Sequence, residues 1–326
     1  MTVHADAGFL NTAEQRRHKL RNLAHSVLLL GGMVLLLSAC TWLVFGVEGL
    51  VWALVGWAIA LSISPRVSPR LILEMYRARP ILPRDLPVAF EILRELARRA
   101  GLPRAPALYY VPSSTLNAFT VGSREDAAIA VTDGMLRALD RREFAGVLAH
   151  EISHVRNNDL WVMSLADTVS RLTGLMSITG IVLLFVNLPL ILVEGRGVPW
   201  LLVALLVFAP TIGSLLQLAL SRAREFDADL DAAALTGDPL GLASALEKLD
   251  RYQGRAWERL FMPGPRIPDP SLLRTHPPIE ERIRRLLALH RSRPTRPFHE
   301  PLPFVLPISL PRVRDLPRRR LTGLWY

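Results

Sequence analysis

Cysteine and lysine are almost absent from this chain of 326 residues. Cys40 is the single cysteine, and Lys19 and Lys248 are the only lysines among 39 basic residues. One cysteine excludes a fold held together by internal disulfide bonds. Arginine accounts for nearly all of the positive charge, and the net charge of +10 favours an anionic partner.

Charge is also missing from long stretches of the chain. Between Arg21 and Arg66 there is no lysine or arginine, and Glu48 is the one acidic residue. The apolar run 23–63 has the length of two membrane-spanning helices joined by a turn at 46–49. We therefore expect a transmembrane hairpin over 23–63.

Two further apolar blocks, 172–193 and 198–220, are separated only by the short segment 194–197. They predict a second transmembrane hairpin over 172–220. The alternative is that all four blocks are core helices of a soluble protein. That alternative is disfavoured because a chain of this size has too little interior to bury them.

The basic residues predict the orientation of these spans. Of the 39, 15 lie in 64–171 and 19 lie after residue 220, whereas the two turns share only Arg196. Basic segments remain on the cytoplasmic side of a membrane. Both termini and both long polar segments are therefore expected in the cytoplasm.

Cys40 ends a tetrapeptide, 37–40, that is similar to a lipoprotein cleavage site. The apolar run continues through 41–45, where a processed lipoprotein would have a polar tether. A cysteine inside a membrane helix is the favoured interpretation, and lipidation of Cys40 is left open.

The segments outside the apolar blocks are mostly helical in pattern. An amphipathic helix is predicted over 86–100, and short β-compatible runs occur at 107–111 and 127–131. The last segment, 291–326, has seven prolines and eight arginines among 36 residues. We expect it to be a disordered basic tail, with a tether to anionic lipid as the functional alternative.

The pentapeptide His150-Glu151-Ile152-Ser153-His154 is an H-E-x-x-H sequence. On a helix, positions i and i+4 share one face, so both imidazoles can reach one zinc ion. Glu151 would then lie beside the open coordination position as a general base. Such a short pattern also arises by chance, so the interpretation requires a third ligand.

The segment Ser221–Asp229 offers that ligand. Glu225 and Asp229 are again four residues apart. Glu225 can complete a site of two histidines and one carboxylate, and Asp229 can accept a hydrogen bond from the outer nitrogen of a ligand histidine. Taken alone, this helix would be interpreted as a solvated charged face.

Several separate stretches resemble the HtpX-type membrane zinc metallopeptidases, which are relatives of the CAAX prenyl endopeptidases. Besides H-E-x-x-H, they are Asn117-Ala118-Phe119 with Gly122, 130–134, Asn157 with Asp159, Ser221–Asp229, 236–239 and 275–278. The order of spans matches as well, with two before the histidines and two between them and Glu225. The resemblance implies a mainly α fold, in which four transmembrane helices carry a cytoplasmic zincin-like (gluzincin) domain with a short β-sheet.

The resemblance also implies roles for single residues. His150, His154 and Glu225 resemble the ligands of one Zn²⁺ per chain. Glu151 resembles the catalytic glutamate, and Asp229 resembles the acid behind a ligand histidine.

A second group of residues resembles the family's substrate contacts. Asn117, Ala118 and Phe119 resemble the edge strand along which an extended substrate lies. His276 resembles a histidine that faces the site, where it would stabilise an oxyanion. A helix-capping role before Pro277 is the alternative for His276.

The implied function is that of a zinc metalloendopeptidase in the inner membrane of a bacterium. It would cleave membrane or misfolded proteins at the cytoplasmic face, in stress-related quality control. Polypeptides and lipids are the implied partners, and no nucleic acid is expected. Two alternatives stay open: a processing endopeptidase for lipid-modified or specific peptides, and a catalytically silent membrane adaptor.

On this interpretation the chain has six segments. They are a basic arm 1–22, a transmembrane hairpin 23–63, a first catalytic part 64–171, a second hairpin 172–220, a second catalytic part 221–290 and the tail 291–326.

Overall fold

The computed structural model describes residues 12–63, 69–194, 199–261, 278–292, 298–304 and 306. The chain forms two compact units. The α/β unit consists of Met1–Lys19, Val67–Leu160 and Arg224–Tyr326, and the helical unit consists of Leu20–Arg66 and Trp161–Ala223. Every predicted site residue that the structure describes belongs to the α/β unit.

The α/β unit contains a small mixed sheet. Its four strands among the described residues are β1 (Arg79–Pro80), β2 (Ala107–Val111), β3 (Ala118–Val121) and β4 (Ala128–Thr132). Their order is β1-β2-β4-β3, with β2 and β4 parallel and each outer strand antiparallel to its neighbour. The two predicted β-runs are thus the central strands, and β3 is an edge strand within the part of the chain that the structure describes.

Helices cover this sheet and enclose the main core. They are α2 (Pro69–Met75), α3 (Pro87–Ala100), α4 (Asp133–Ala138), α5 (Arg141–Asn157), α8 (Pro239–Phe261) and α9 (Ile279–Ser292). The core is a continuous apolar cluster to which Leu93 of α3, Ile129 of β4 and Phe144 of α5 contribute fully buried side chains. Burial of such side chains is the main favourable contribution to folding.

Helix α5 is fixed firmly at its start. The Asp140 carboxylate accepts a hydrogen bond from the Glu143 backbone N–H, and the Glu143 carboxylate accepts one from the Asp140 backbone N–H. This capping box satisfies two backbone donors that the helix leaves unpaired. Lys248 Nζ lies 2.6 Å from the buried Glu143 carboxylate, so the charge of Glu143 is compensated. The position of α5 is therefore set ten residues before its first histidine.

The helical unit is built from α1 (Thr12–Ile63) and most of α6 (Asp159–Glu194) and α7 (Trp200–Thr236). Within the described residues, three helices are long and apolar enough to cross a membrane: Leu23–Leu43, Asp159–Asn187 and Trp200–Thr236. Cys40 is buried among apolar neighbours in this unit.

One span of the predicted first hairpin is among these candidates, and the chain breaks within the predicted turn. Helix α1 is interrupted at Gly46, whose backbone angles (φ 66°, ψ −156°) are not helical. The part after Gly46, 47–63, is helical but is not among the three candidate spans. The second span of the first hairpin therefore stays a prediction.

Part of the C-terminal tail is ordered against the α/β core. Phe298 and Phe304 pack on the main apolar cluster, and the Phe304 ring meets the Phe144 ring edge-on at 4.9 Å. The backbone N–H of Arg141 donates to the Leu302 carbonyl at 2.9 Å. The disorder expected for 291–326 therefore does not apply to 298–304. The prediction of disorder rested on the abundance of proline and arginine, and it overlooked the two phenylalanines that anchor this segment.

Close packing of α5 on α8 leads to a stability prediction. A Cβ atom on Gly146 would lie 2.8 Å from the backbone nitrogen of Leu242 in α8. Gly146→Ala should force the two helices apart and lower the free energy of unfolding by about 1–3 kcal/mol, measured as a lower Tm in detergent. Gly213→Ala in α7 is the control, because nothing lies within 4 Å of its Cβ position. An unchanged Tm for Gly146→Ala would contradict this packing.

Candidate metal centre

Two histidines and one carboxylate converge at the centre of the α/β unit. His150 and His154 lie one turn apart on α5, and their Nε2 atoms are 3.1 Å from each other. Glu225 enters from α7, with Oε2 3.4 Å from His150 Nε2 and Oε1 3.7 Å from His154 Nε2. His150 and Glu225 are buried and His154 is half-buried. The structure therefore brings together the three ligands predicted from the sequence.

This donor set fits a tetrahedral metal ion. Zinc–nitrogen bonds of about 2.0–2.1 Å at tetrahedral angles place two ligand nitrogens about 3.3–3.4 Å apart. The separations of 3.1, 3.4 and 3.7 Å between the three groups lie around that value. Two imidazoles and one carboxylate are also the donor types of catalytic zinc sites. The two histidines and the glutamate therefore fit a zinc ion.

The outer nitrogen of His154 is held by an acid that the sequence analysis did not assign to this role. Nδ1 of His154 donates to Asp159 Oδ2 at 2.8 Å. The other oxygen of Asp159 accepts from Arg224 Nε at 2.6 Å. Asp159 is almost fully buried, and Arg224 compensates its charge. A carboxylate behind an imidazole fixes the ring's orientation and directs its other nitrogen to a metal.

His150 has a matching arrangement built from other helices. Nδ1 of His150 lies 3.0 Å from Asp229 Oδ1, as the i, i+4 spacing of Glu225 and Asp229 predicted. Arg282 of α9 donates two hydrogen bonds to the Asp229 carboxylate, from Nη2 at 2.6 Å and from Nε at 2.8 Å. Its third nitrogen, Nη1, lies 3.0 Å from Glu225 Oε2. Arg282 is distant in sequence from every motif, so no local pattern predicted it.

The electrostatics of the centre favour positive charge. Burial lowers the pKa of the His150 imidazole, but its contacts with Asp229 and Glu225 outweigh burial and raise that pKa to about 10. Burial likewise lowers the pKa of Arg282, and Asp229 and Glu225 raise it above its ordinary value. The carboxylates that favour a proton on His150 would favour a metal cation at the same place.

Glu151 is oriented by the edge strand. Its Oε2 accepts a hydrogen bond from the Thr120 hydroxyl at 2.7 Å. Thr120 is buried and lies in β3, the strand that α5 packs against. This hydroxyl joins the predicted general base to the predicted substrate strand, and the sequence analysis missed it because the two residues are 31 positions apart.

The three residues predicted to contact substrate lie at the start of β3. The Asn117 carbonyl accepts a hydrogen bond from the Thr132 backbone N–H, and the Asn117 N–H donates to the Thr132 hydroxyl. Ala118 packs against the main core. The Phe119 ring lies on the opposite face of the sheet, 4.8 Å from the Tyr76 ring. His276 lies outside the described residues, so its role stays a prediction.

An H-E-x-x-H helix, a carboxylate from a second helix and an adjacent strand edge are the arrangement expected of a metallopeptidase. A family model, Peptidase family M48, matches residues 89–290, which include the histidines, Glu225 and Arg282. The chain belongs to peptidase family M48.

Full-length relatives agree with this assignment. A protease HtpX homolog of Desulforapulum autotrophicum is 36% identical over 276 residues, covering 81% of this chain and 89% of the relative. Homologs of the same name from Sulfurihydrogenibium sp. (36% over 294 residues, 83% and 97% covered) and Paraburkholderia phytofirmans (34% over 279 residues, 79% and 96% covered) are similar.

The comparison with solved structures gives one match to report. The crystal structure of S. mikatae Ste24p matches with a TM-score of 0.44 and 19% identity, covering 86% of this chain and 67% of that one. From the family and the relatives, together with the apolar helices, the chain is an integral-membrane metallopeptidase that acts on polypeptides.

Asp159 generates the first prediction for this site. Asp159→Asn removes the charge behind His154 and should weaken metal affinity roughly 10–100-fold, measured by competition with a chromophoric chelator. Asp126→Asn is the matched control, because Asp126 is an exposed acid in the turn after β3 whose carboxylate accepts hydrogen bonds from Ser123. Equal affinities for wild type and Asp159→Asn would contradict the positioning of His154 by Asp159.

Thr120 generates the second prediction for this site. Thr120→Val keeps the shape of the side chain but removes the hydroxyl that donates to Glu151. Loss of a hydrogen bond to a charged group should lower kcat roughly tenfold on an unfolded model protein, with metal content unchanged. Thr120→Ser keeps the hydroxyl and should retain most activity. A wild-type kcat for the valine variant would show that this contact does not orient Glu151.

Proposed function

We propose that this chain is a zinc-dependent endopeptidase in which His150, His154 and Glu225 hold one Zn²⁺. The observation that carries the proposal is the 3.1–3.7 Å spacing of three donor groups beside Glu151. Zinc is favoured over other divalent ions because two imidazoles and one carboxylate suit its borderline character and its tetrahedral preference.

A zinc ion held there would polarise the peptide carbonyl and make a nearby water more acidic. Residues of the chain itself transfer the protons and hold the imidazoles in place. Glu151 takes the proton of the attacking water and delivers it to the leaving amine, while the Thr120 hydroxyl keeps its carboxylate aimed at the site. Asp159 and Asp229 hold the two imidazoles in one tautomer throughout.

The substrate is proposed to bind as an additional strand along β3. Within the described residues, β3 pairs with β4 on one side, so its other edge offers backbone donors and acceptors. The segment Asn117–Phe119 would hold an extended peptide next to Glu151. Backbone pairing of this kind makes little demand on sequence, which suits a protease of broad specificity.

The membrane context narrows the proposed substrates. Helix α7 carries an apolar block and Glu225 in one continuous helix, with Glu225 about five residues after the predicted span ends. At 1.5 Å per residue, this spacing keeps the site near the bilayer surface. We infer that membrane proteins and misfolded chains beside the membrane are cleaved.

The site is proposed to lie on the cytoplasmic side of a bacterial inner membrane, with both termini there and four spans in total. The excess of basic residues in the two long polar segments supports this orientation. On this arrangement the role is protein quality control under stress, with lipids as neighbours of the helical unit. Exposed apolar side chains on its helices, Leu35, Leu175, Phe185, Leu201 and Phe208 among them, suit contact with lipid tails.

Glu151→Gln tests the proposal. The variant should bind one zinc per chain like wild type and lose cleavage of an unfolded model protein and of itself in detergent, because the amide cannot accept the proton. His150→Ala should lose both zinc and cleavage, and Asp126→Asn should lose neither. Wild type and each variant are stripped with chelator and reloaded with zinc before they are compared.

Retained cleavage by zinc-loaded Glu151→Gln would refute the assigned role. Absence of cleavage by wild type, with zinc bound, would favour the silent adaptor instead. Cleavage restricted to prenylated peptides would favour the processing endopeptidase.

A further inference from the structure

Arg282 is a buried arginine at the metal centre whose role neither the sequence analysis nor the proposed mechanism explains. Its side chain is 7% exposed, and it comes from α9, a helix that supplies no predicted ligand. A buried guanidinium is unfavourable unless its charge is matched by hydrogen-bonded carboxylates. Asp229 accepts two hydrogen bonds from Arg282, and Glu225 adds a second negative charge, with Oε2 3.0 Å from Nη1.

The two contacts differ in geometry. Arg282 binds Asp229 with two nitrogens, one on each oxygen, at 2.6 and 2.8 Å. This fork fixes the plane of the guanidinium. The remaining nitrogen, Nη1, then lies 3.0 Å from one oxygen of Glu225, Oε2. Asp229 thus serves as the anchor, and Glu225 is the group on which the fixed guanidinium acts.

A carboxylate can bind a metal through one oxygen or through both. Each oxygen of Glu225 faces one imidazole: Oε1 lies 3.7 Å from His154 Nε2, and Oε2 lies 3.4 Å from His150 Nε2. Oε2 is also the oxygen beside Arg282, 3.0 Å from Nη1. A positive charge fixed on Oε2 competes with a metal cation for that oxygen. The competition favours coordination through Oε1 alone.

We propose that Arg282 is a positioning residue that makes Glu225 a one-oxygen ligand and so preserves the open coordination position on which catalysis depends. This inference rests on the proposed metallopeptidase function. Two imidazoles and one oxygen leave the fourth tetrahedral position for water or the substrate carbonyl, and a second oxygen from Glu225 would fill it. Lysine would not replace arginine fully, because one ammonium cannot anchor on both oxygens of Asp229 and also reach Glu225.

Arg224 provides a matched control on the other side of the centre. It is also a buried arginine that neutralises the acid behind a ligand histidine, but its carboxylate is Asp159. Removing Arg224 should therefore weaken metal binding without changing how Glu225 coordinates. The two arginines separate a general effect of buried charge from a specific effect on Glu225.

Cobalt substitution tests the proposal in the full chain in detergent. Chelator-stripped wild type, Arg282→Gln, Arg282→Lys and Arg224→Gln are loaded with Co²⁺, and their visible absorption is recorded at equal occupancy. Four-coordinate Co²⁺ absorbs much more strongly than five-coordinate Co²⁺. Wild type and Arg224→Gln should show the strong band, Arg282→Gln a weaker one, and Arg282→Lys an intermediate one. Zinc-dependent kcat of Arg282→Gln should fall roughly 10–100-fold.

Asp229→Asn alone and with Arg282→Gln gives a second matched pair. Arg282→Gln alone leaves the Asp229 carboxylate buried without its arginine, and this variant could fail to fold. The double variant removes both charges, so no unpaired charge remains at position 229. Asp229→Asn weakens the anchor but keeps the guanidinium beside Glu225, so it should give an intermediate band, and the double variant should give the weaker band of Arg282→Gln.

A strong band in a folded, cobalt-loaded variant that lacks Arg282 overturns the inference, as does a weak band in wild type. Both outcomes leave zinc-dependent cleavage by wild type intact. Failure of the proposed function is different: wild type would then bind no metal or would cleave nothing in its presence.

Discussion

The structure depends on a cluster of buried charges around two imidazoles. Carboxylates from Glu225, Asp229 and Asp159 face guanidinium groups from Arg224 and Arg282, with His150 and His154 between them. Unpaired, each of these charges would be strongly unfavourable in the interior. Together with Glu151, the carboxylates outnumber the guanidinium groups, which favours a cation at the centre. The fold must therefore hold α5, α7 and α9 in one fixed arrangement, because displacement of any of them would leave a charge uncompensated.

Helix α5 connects this cluster to the rest of the α/β unit. Its start is fixed by the Asp140–Glu143 capping box, its middle packs against α8 at Gly146, and its end is tied to α7 by a hydrogen bond from Asn157 to Asp231 at 2.9 Å. The same helix packs against β3, so the Glu151 carboxylate is held in a fixed position relative to the strand edge. Precise placement of a general base requires such rigid support, since hydrogen-bond reach is only about 3 Å.

The sequence predicted the parts of this protein that local patterns encode. Apolar blocks predicted membrane helices, the spacing of His150 and His154 predicted a shared helix face, and the i, i+4 spacing of Glu225 and Asp229 predicted that both point to the same centre. Arg282 and Thr120 were missed because their partners lie far away in sequence, where periodicity carries no information. The packed segment 298–304 was missed for another reason: average composition outweighed two aromatic residues. The ligand roles themselves remain predictions from the sequence and the family.

The two halves of the metal centre differ in how they are assembled. The His154 half uses Asp159, five residues farther along the chain, and Arg224, which directly precedes the ligand Glu225. The His150 half requires Arg282 from α9, which is placed by packing on α8. Because Arg282 contacts both Asp229 and Glu225, the orientation of the third ligand depends on this C-terminal helix. On the proposed function, a change in the docking of α9 would therefore alter how Glu225 meets the metal.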